Sequence, residues 1–174
     1  MNEYIWYLIR ATGTVAYILL YVATIIGLYT QILKRKKRKI NTWLNLHEPL
    51  SNWAFILVLA HLGFLFFDAY AKFTWTDLLI PFSTSYKPLP MALGIFSLYI
   101  LTITIITTKL RKAIGIKFWR KLHVFTPIMY ILVTVHSVLI GTDFQLTIVM
   151  LINLIPVITF SWIFMKRHDS QATA

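Results

Sequence analysis

The sequence has no cysteine and only six carboxylates in 174 residues. Without cysteine there is no disulfide framework, no thiolate for an iron–sulfur cluster and no C-x-x-C-H site for covalent haem attachment. Cysteine usage is therefore silent about the redox compartment. Charged residues make up 13% of the chain, too few to cover a soluble globular domain of this size. No repeat of 20–50 residues and no low-complexity tract divides it.

What fills the chain is apolar: 58% of residues are hydrophobic and the mean hydropathy is +0.70. Several runs approach or exceed the ~18 residues that cross a bilayer as a helix. The expected fold is an all-α integral membrane protein, a single domain over 1–174 built as a five-transmembrane-helix bundle. Its spans are expected at about 4–33, 46–70, 91–108, 118–141 and 144–164. The first lacks the basic start and small-residue cleavage site of a secretory signal and is read as retained.

The net charge is +11, and fourteen of the seventeen basic residues lie at the ends of apolar runs: Lys34 to Lys39, then Lys109, Arg111, Lys112, Lys117, Arg120 and Lys121, then Lys166 and Arg167. This placement is the positive-inside signal, not a nucleic-acid surface. It puts the N-terminus outside and the C-terminus in the cytoplasm, in a multi-pass protein of the cell membrane. Trp43, Trp53 and Trp119 read as interface anchors or packing residues.

Within this apolar frame, histidine carries the chemistry. His47 and His61 are fourteen residues apart, about 21 Å and about 3.9 helical turns, so both leave nearly the same face. Two further histidines, His123 and His136, lie on the expected fourth span. Both spans run outward, so His47 and His123 share an inner level and His61 and His136 an outer one. The thirteen residues between His123 and His136 misalign their rings by about 140° on an ideal helix. Pro127 lies between them and offers a kink that restores the facing. Pro49 fits the first turn of a helix starting near His47, and kinks one that starts at Asn41.

Ionisable groups inside a membrane point to function. A single histidine more often bridges helices, and His168 belongs to the polar tail. Four histidines at two matched depths are better explained as ligands. A zinc site at either level lacks further donors, whereas haem needs only two axial ligands. Arg10, inside the aromatic start of the first span, either snorkels to the interface or neutralises a buried anion such as a haem propionate. Arg120 and Lys121 enforce topology or pair with inner-haem propionates. Gly13 and Ala16 offer a close helix contact. The connection from Ala71 to Pro90 either caps an outer cofactor or lies in the interface as an ordinary loop, the simpler reading.

The His47-x13-His61 and His123-x12-His136 spacings, the Arg10-x-x-Gly13 opening and the Trp119-Arg120-Lys121-Leu122-His123 run together resemble the ferric-reductase-like transmembrane domain. That domain is shared by ferric reductases, NADPH oxidases and the haem subunit of a bacterial methionine sulfoxide reductase system. The resemblance, over roughly 4–164, implies two non-covalent b-type haems: His47 with His123 on the inner iron, His61 with His136 on the outer. The family's oxidases have six helices and a cytoplasmic flavin and nicotinamide domain; the first helix and that domain are expected to be missing here. The expectation is an oxidoreductase membrane subunit that takes electrons from a separate flavoprotein or menaquinol and delivers them outside. Ferric iron is the acceptor the resemblance suggests; an external flavoprotein, oxygen or a repair enzyme are others. The rival readings are a histidine-relay proton or ion transporter and a haem-free membrane scaffold.

Overall fold

The computed structural model describes residues 3–141 and 147–172, with side chains of the last helix described over 151–163. Among the described residues the chain is helical throughout: α1 (Glu3–Arg35), α2 (Asn41–Phe66), α3 (Trp75–Leu79), α4 (Pro88–Lys109), α5 (Arg111–Ile114), α6 (Ile116–His123), α7 (Thr126–Ile140) and α8 (Thr147–Ala172). Among the described residues four helical stretches are long and apolar enough to cross a membrane: α1, α2, α4 and the α6–α7 unit over Ile116–Ile140. The expected fifth span starts in residues outside the described ones, and its described apolar part, Leu151–Ile163, is shorter than a crossing. The side chains of Lys166, Arg167 and His168 also lie outside the description.

Helix ends follow local chemistry. α1 is 33 residues, about 50 Å, and stops in its run of cations. Lys37 takes the left-handed conformation at φ 53°, and the Arg38 N–H reaches back to the Leu33 carbonyl, so a Schellman turn closes the helix. α2 begins at Asn41, earlier than expected, which places Pro49 inside it. It ends at Phe66, before the expected Tyr70, because the Asp68 carboxylate accepts the N–H groups of Tyr70 and Ala71 and turns the chain. At the other end of α2, Glu48 pairs with Lys109 at 3.2 Å and Arg111 at 3.7 Å, an exposed link to the end of α4.

The expected fourth span is two helices, not one. Pro127 has no N–H for the His123 carbonyl, which accepts the Thr126 hydroxyl at 2.9 Å instead, and the helix breaks at Val124–Phe125. The ideal-helix mismatch between His123 and His136 therefore does not apply: they stand on different helices.

α1 and α2 pack antiparallel, as do α4 and α7. At mid-depth each contributes one buried residue to an apolar layer, Leu20, Ala54, Leu101 and Met129. Beside it lies a buried polar knot. Tyr17 and Tyr130 both donate to Asn153 Oδ1 of α8, the second at 2.6 Å, and the Thr134 hydroxyl is 2.9 Å from that of Tyr17. Arg35 donates to the Ile163 carbonyl at 2.8 Å, so α8 runs parallel to α1. The outward surface is apolar, with Trp53, Ile56, Ile103, Ile106 and Ile158 exposed, a pattern suited to lipid.

The connection between α2 and α4 folds over the bundle mouth and is not a loose interfacial loop. Phe73 and Leu78 are buried with Met91 against Leu62, Leu65 and Ile140, and Trp75 stacks on Phe66 at 4.4 Å. Thr74 and Asp77 form a capping box that starts α3, and the hydrogen bonds from Thr74 hold the Asp77 carboxyl below its usual range.

Removing the shared acceptor of the polar knot takes from two buried phenols the oxygen to which both donate. Asn153→Leu is expected to cost about 1–3 kcal/mol in detergent unfolding. Tyr17→Phe, which removes one hydroxyl and leaves the acceptor in use, should cost nearer ~0.6 kcal/mol. Equal losses in the two variants would contradict the shared-acceptor description.

Candidate functional site

The four intramembrane histidines fall into the two levels the sequence suggests, and the structure adds how each ring is held. His61 Nδ1 lies 2.9 Å from the Ile9 carbonyl, His47 Nδ1 2.8 Å from that of Ala23, and His136 Nδ1 2.8 Å from that of Pro90. A carbonyl oxygen only accepts, so in the neutral ring Nδ1 carries the proton and donates. Nε2 is then left with its lone pair, the nitrogen a metal needs. Donation of the second ring nitrogen to a carbonyl is the usual support of a metal-binding histidine.

Each of these three carbonyls sits four residues before a glycine: Ile9 before Gly13, Ala23 before Gly27, Pro90 before Gly94. The glycines make the approach possible. A Cβ at Gly13 would come within 3.0 Å of the His61 ring, one at Gly27 within 3.2 Å of His47, and one at Gly94 within 2.7 Å of His136. Gly13 is thus a close-contact residue, as read from the sequence, but its neighbour is an imidazole. Gly27 and Gly94 were missed. One signal was present: Gly13 and Gly27 are fourteen apart, the spacing of His47 and His61.

At one of the two levels, His61 and His136 line one cavity of about 530 Å³, within the ~300–1,000 Å³ typical of cofactor pockets. Gly13 and Gly94 line it too, and Leu20, Leu101 and Met129 of the mid-depth layer belong to its wall. Arg10 lines it, and its guanidinium lies 4.2 Å from the Trp6 ring centroid. Lys87, on the fold-over connection, also lines the cavity and donates to the Leu139 carbonyl at 3.2 Å. Sequence reading passed it over as a loop residue.

At the other level the rings of His47 and His123 face one another, centroids 6.2 Å apart and planes at 76°. Two imidazoles on opposite sides of one metal, each at an M–N distance of ~2.0–2.1 Å, have centroids ~6 Å apart. His123 is the exception among the four: its Nδ1 is buried with no hydrogen-bond partner among the described residues, and its ring lies 5.0 Å from that of Trp119. Arg120 and Lys121 are exposed on α6 beside it. No three His, Cys, Asp or Glu side chains converge as a metal-ion cage among the described residues. Pairs of imidazoles, with a glycine cradle at three of the four, fit a flat macrocycle that brings its own equatorial ligands.

The cradle has a measurable consequence. Gly94→Ala forces His136 or its helix to move and is expected to lower the detergent melting stability by about 1–3 kcal/mol. Gly63→Ala, in a helix with nothing within 4 Å of the added carbon, should instead raise it by up to ~1 kcal/mol. Similar responses at the two positions would remove the case for a tight imidazole contact.

A family model described as ferric reductase like transmembrane component matches residues 12–134. The match includes His47, His61 and His123 and the three cradle glycines, and ends two residues before His136. No curated protein and no solved structure matches the chain. At family level the match indicates membrane electron transfer in a domain type that typically binds haem. With its four apolar crossings, the protein is an integral membrane protein, and it belongs to the family of ferric reductase like transmembrane components.

Proposed function

We propose that this protein is a bis-haem electron conduit of the cell membrane that carries electrons from a cytoplasmic-side donor to an acceptor outside. Two b-type haems would be held non-covalently, the inner by His47 and His123 and the outer by His61 and His136. The observation that carries this reading is the carbonyl-held Nδ1 of three histidines, which leaves the Nε2 lone pair of each available to a metal. A bound haem supplies the one-electron iron couple.

The chain's own residues bind, orient and insulate. The glycine-seated carbonyls fix ring orientation and tautomer. Arg10 and Lys87 meet the carboxylates of the outer haem, and Arg120, with Lys121, those of the inner one, through charge-assisted hydrogen bonds. The layer of Leu20, Ala54, Leu101 and Met129 lies between the levels, seven residues from Gly13 and Gly27 on α1 and from His47 and His61 on α2. Its four side chains carry no polar group for a proton, which supports electron transfer over a histidine relay through that layer. α8 forms the fifth crossing, the N-terminus is outside and the C-terminus cytoplasmic, as the basic clusters require. A separate flavoprotein or menaquinol donates, and ferric iron is the acceptor the family suggests.

The test is transfer across a sealed membrane. Proteoliposomes of haem-loaded protein with ferricyanide trapped inside should bleach it when an impermeant reductant is added outside. His61→Ala should lose about one of two haems and fall to the rate of protein-free vesicles. Wild-type transfer in that variant, or proton uptake by wild type without any reductant, would overturn the proposal.

A further inference from the structure

The imidazole seats repeat with a period of fourteen along the helices that carry them. On α1 the carbonyl–glycine pair Ile9/Gly13 recurs as Ala23/Gly27; on α4 the pair Pro90/Gly94 has its fourteen-residue counterpart at Thr104/Thr108. The fourth seat is therefore altered. In place of glycine stands Thr108, whose hydroxyl donates to the Thr104 carbonyl at 2.7 Å, so the acceptor due to a histidine is already occupied. Thr107 reaches the same oxygen at 3.3 Å, and the Trp119 indole N–H donates to the Thr108 hydroxyl at 3.0 Å. The histidine left without a carbonyl is His123, the residue whose Nδ1 is buried and unpartnered among the described residues. What orients its ring is the tilted stack of Trp119, 5.0 Å away at 32°.

We propose that Thr108 and Trp119 make His123 an exchangeable ligand, so that the inner site, and not the outer, opens to small neutral field ligands such as carbon monoxide or free imidazole. This rests on the reading of His47 and His123 as ligands of one haem. A carbonyl partner fixes a ligand ring and raises its basicity, and loss of such a partner typically weakens metal binding ~10–100-fold. Among the described residues three of the four rings have that support and His123 does not. The stack orients His123 but supplies no acceptor for Nδ1–H, so the ring leaves the metal with little to hold it back. The outer pair, with both rings held by carbonyls at 2.8–2.9 Å, stays closed.

The experiment is a carbon monoxide titration of the dithionite-reduced, haem-loaded full chain, with haem counted per chain beforehand. The expected result is two haems and a carbon monoxide difference band corresponding to one of them. Thr108→Gly, which restores the seat, should weaken carbon monoxide binding ~10–100-fold. Thr108→Ser, which keeps the hydroxyl, should behave as wild type, and Trp119→Leu should bind more tightly. Fewer than two haems would sink the proposed function and this inference with it. Two haems with no band, with a band from both, or with a Thr108→Gly response equal to wild type would overturn the inference alone.

Discussion

The structure depends on one repeated contact: an imidazole donating from Nδ1 to a helix carbonyl whose i+4 residue is glycine. A helix carbonyl already accepts the i+4 N–H, and its second lone pair is open only where no side chain covers it. Glycine at i+4 uncovers it, at a cost in helix propensity of about 1 kcal/mol that tertiary contact must offset. In lipid, where apolar burial drives little helix association, such close polar contacts hold helices together as well as orient rings. The antiparallel pairing of α1 with α2 and of α4 with α7 follows from where the histidines and their seats lie.

The spacing of fourteen residues, nearly four whole turns, then propagates through the molecule. It returns each helix to the same face about 21 Å further on. It sets His61 over His47, Gly13 over Gly27 and Gly94 over Thr108, with Ala54, Leu20 and Leu101 midway between. Two levels separated by an apolar layer are the result. The fourth strip of this lattice, carrying His123 and His136, is one residue short, and the break before Pro127 absorbs the difference. The departures from regularity, that break and Thr108, both fall around His123.

Much of this was legible in the sequence because membrane helices keep strict length and charge rules. Four of the five expected crossings, the two histidine levels and the family resemblance came from spacing, hydropathy and short motifs. Pro127 was correctly singled out as the point where the fourth span changes course. What sequence alone did not yield was tertiary. Gly27 and Gly94 matter only because of what lies opposite them, and one chain's periodicity does not reveal its neighbours. Lys87 reads as a loop residue until Phe73 and Leu78 are seen to fold that loop over the cavity. The α2 boundaries moved because polar Asn41 and Thr42 continue the helix and the Asp68 turn ends it.

The central claim is that four histidines in two facing pairs hold two haems. The most direct measurement is the reduced-minus-oxidised absorption spectrum of detergent-purified, haem-supplied protein, with haem quantified against polypeptide. Two b-type haems per chain is the predicted result. A folded preparation that remains colourless would contradict the account and leave the histidines as helix bridges.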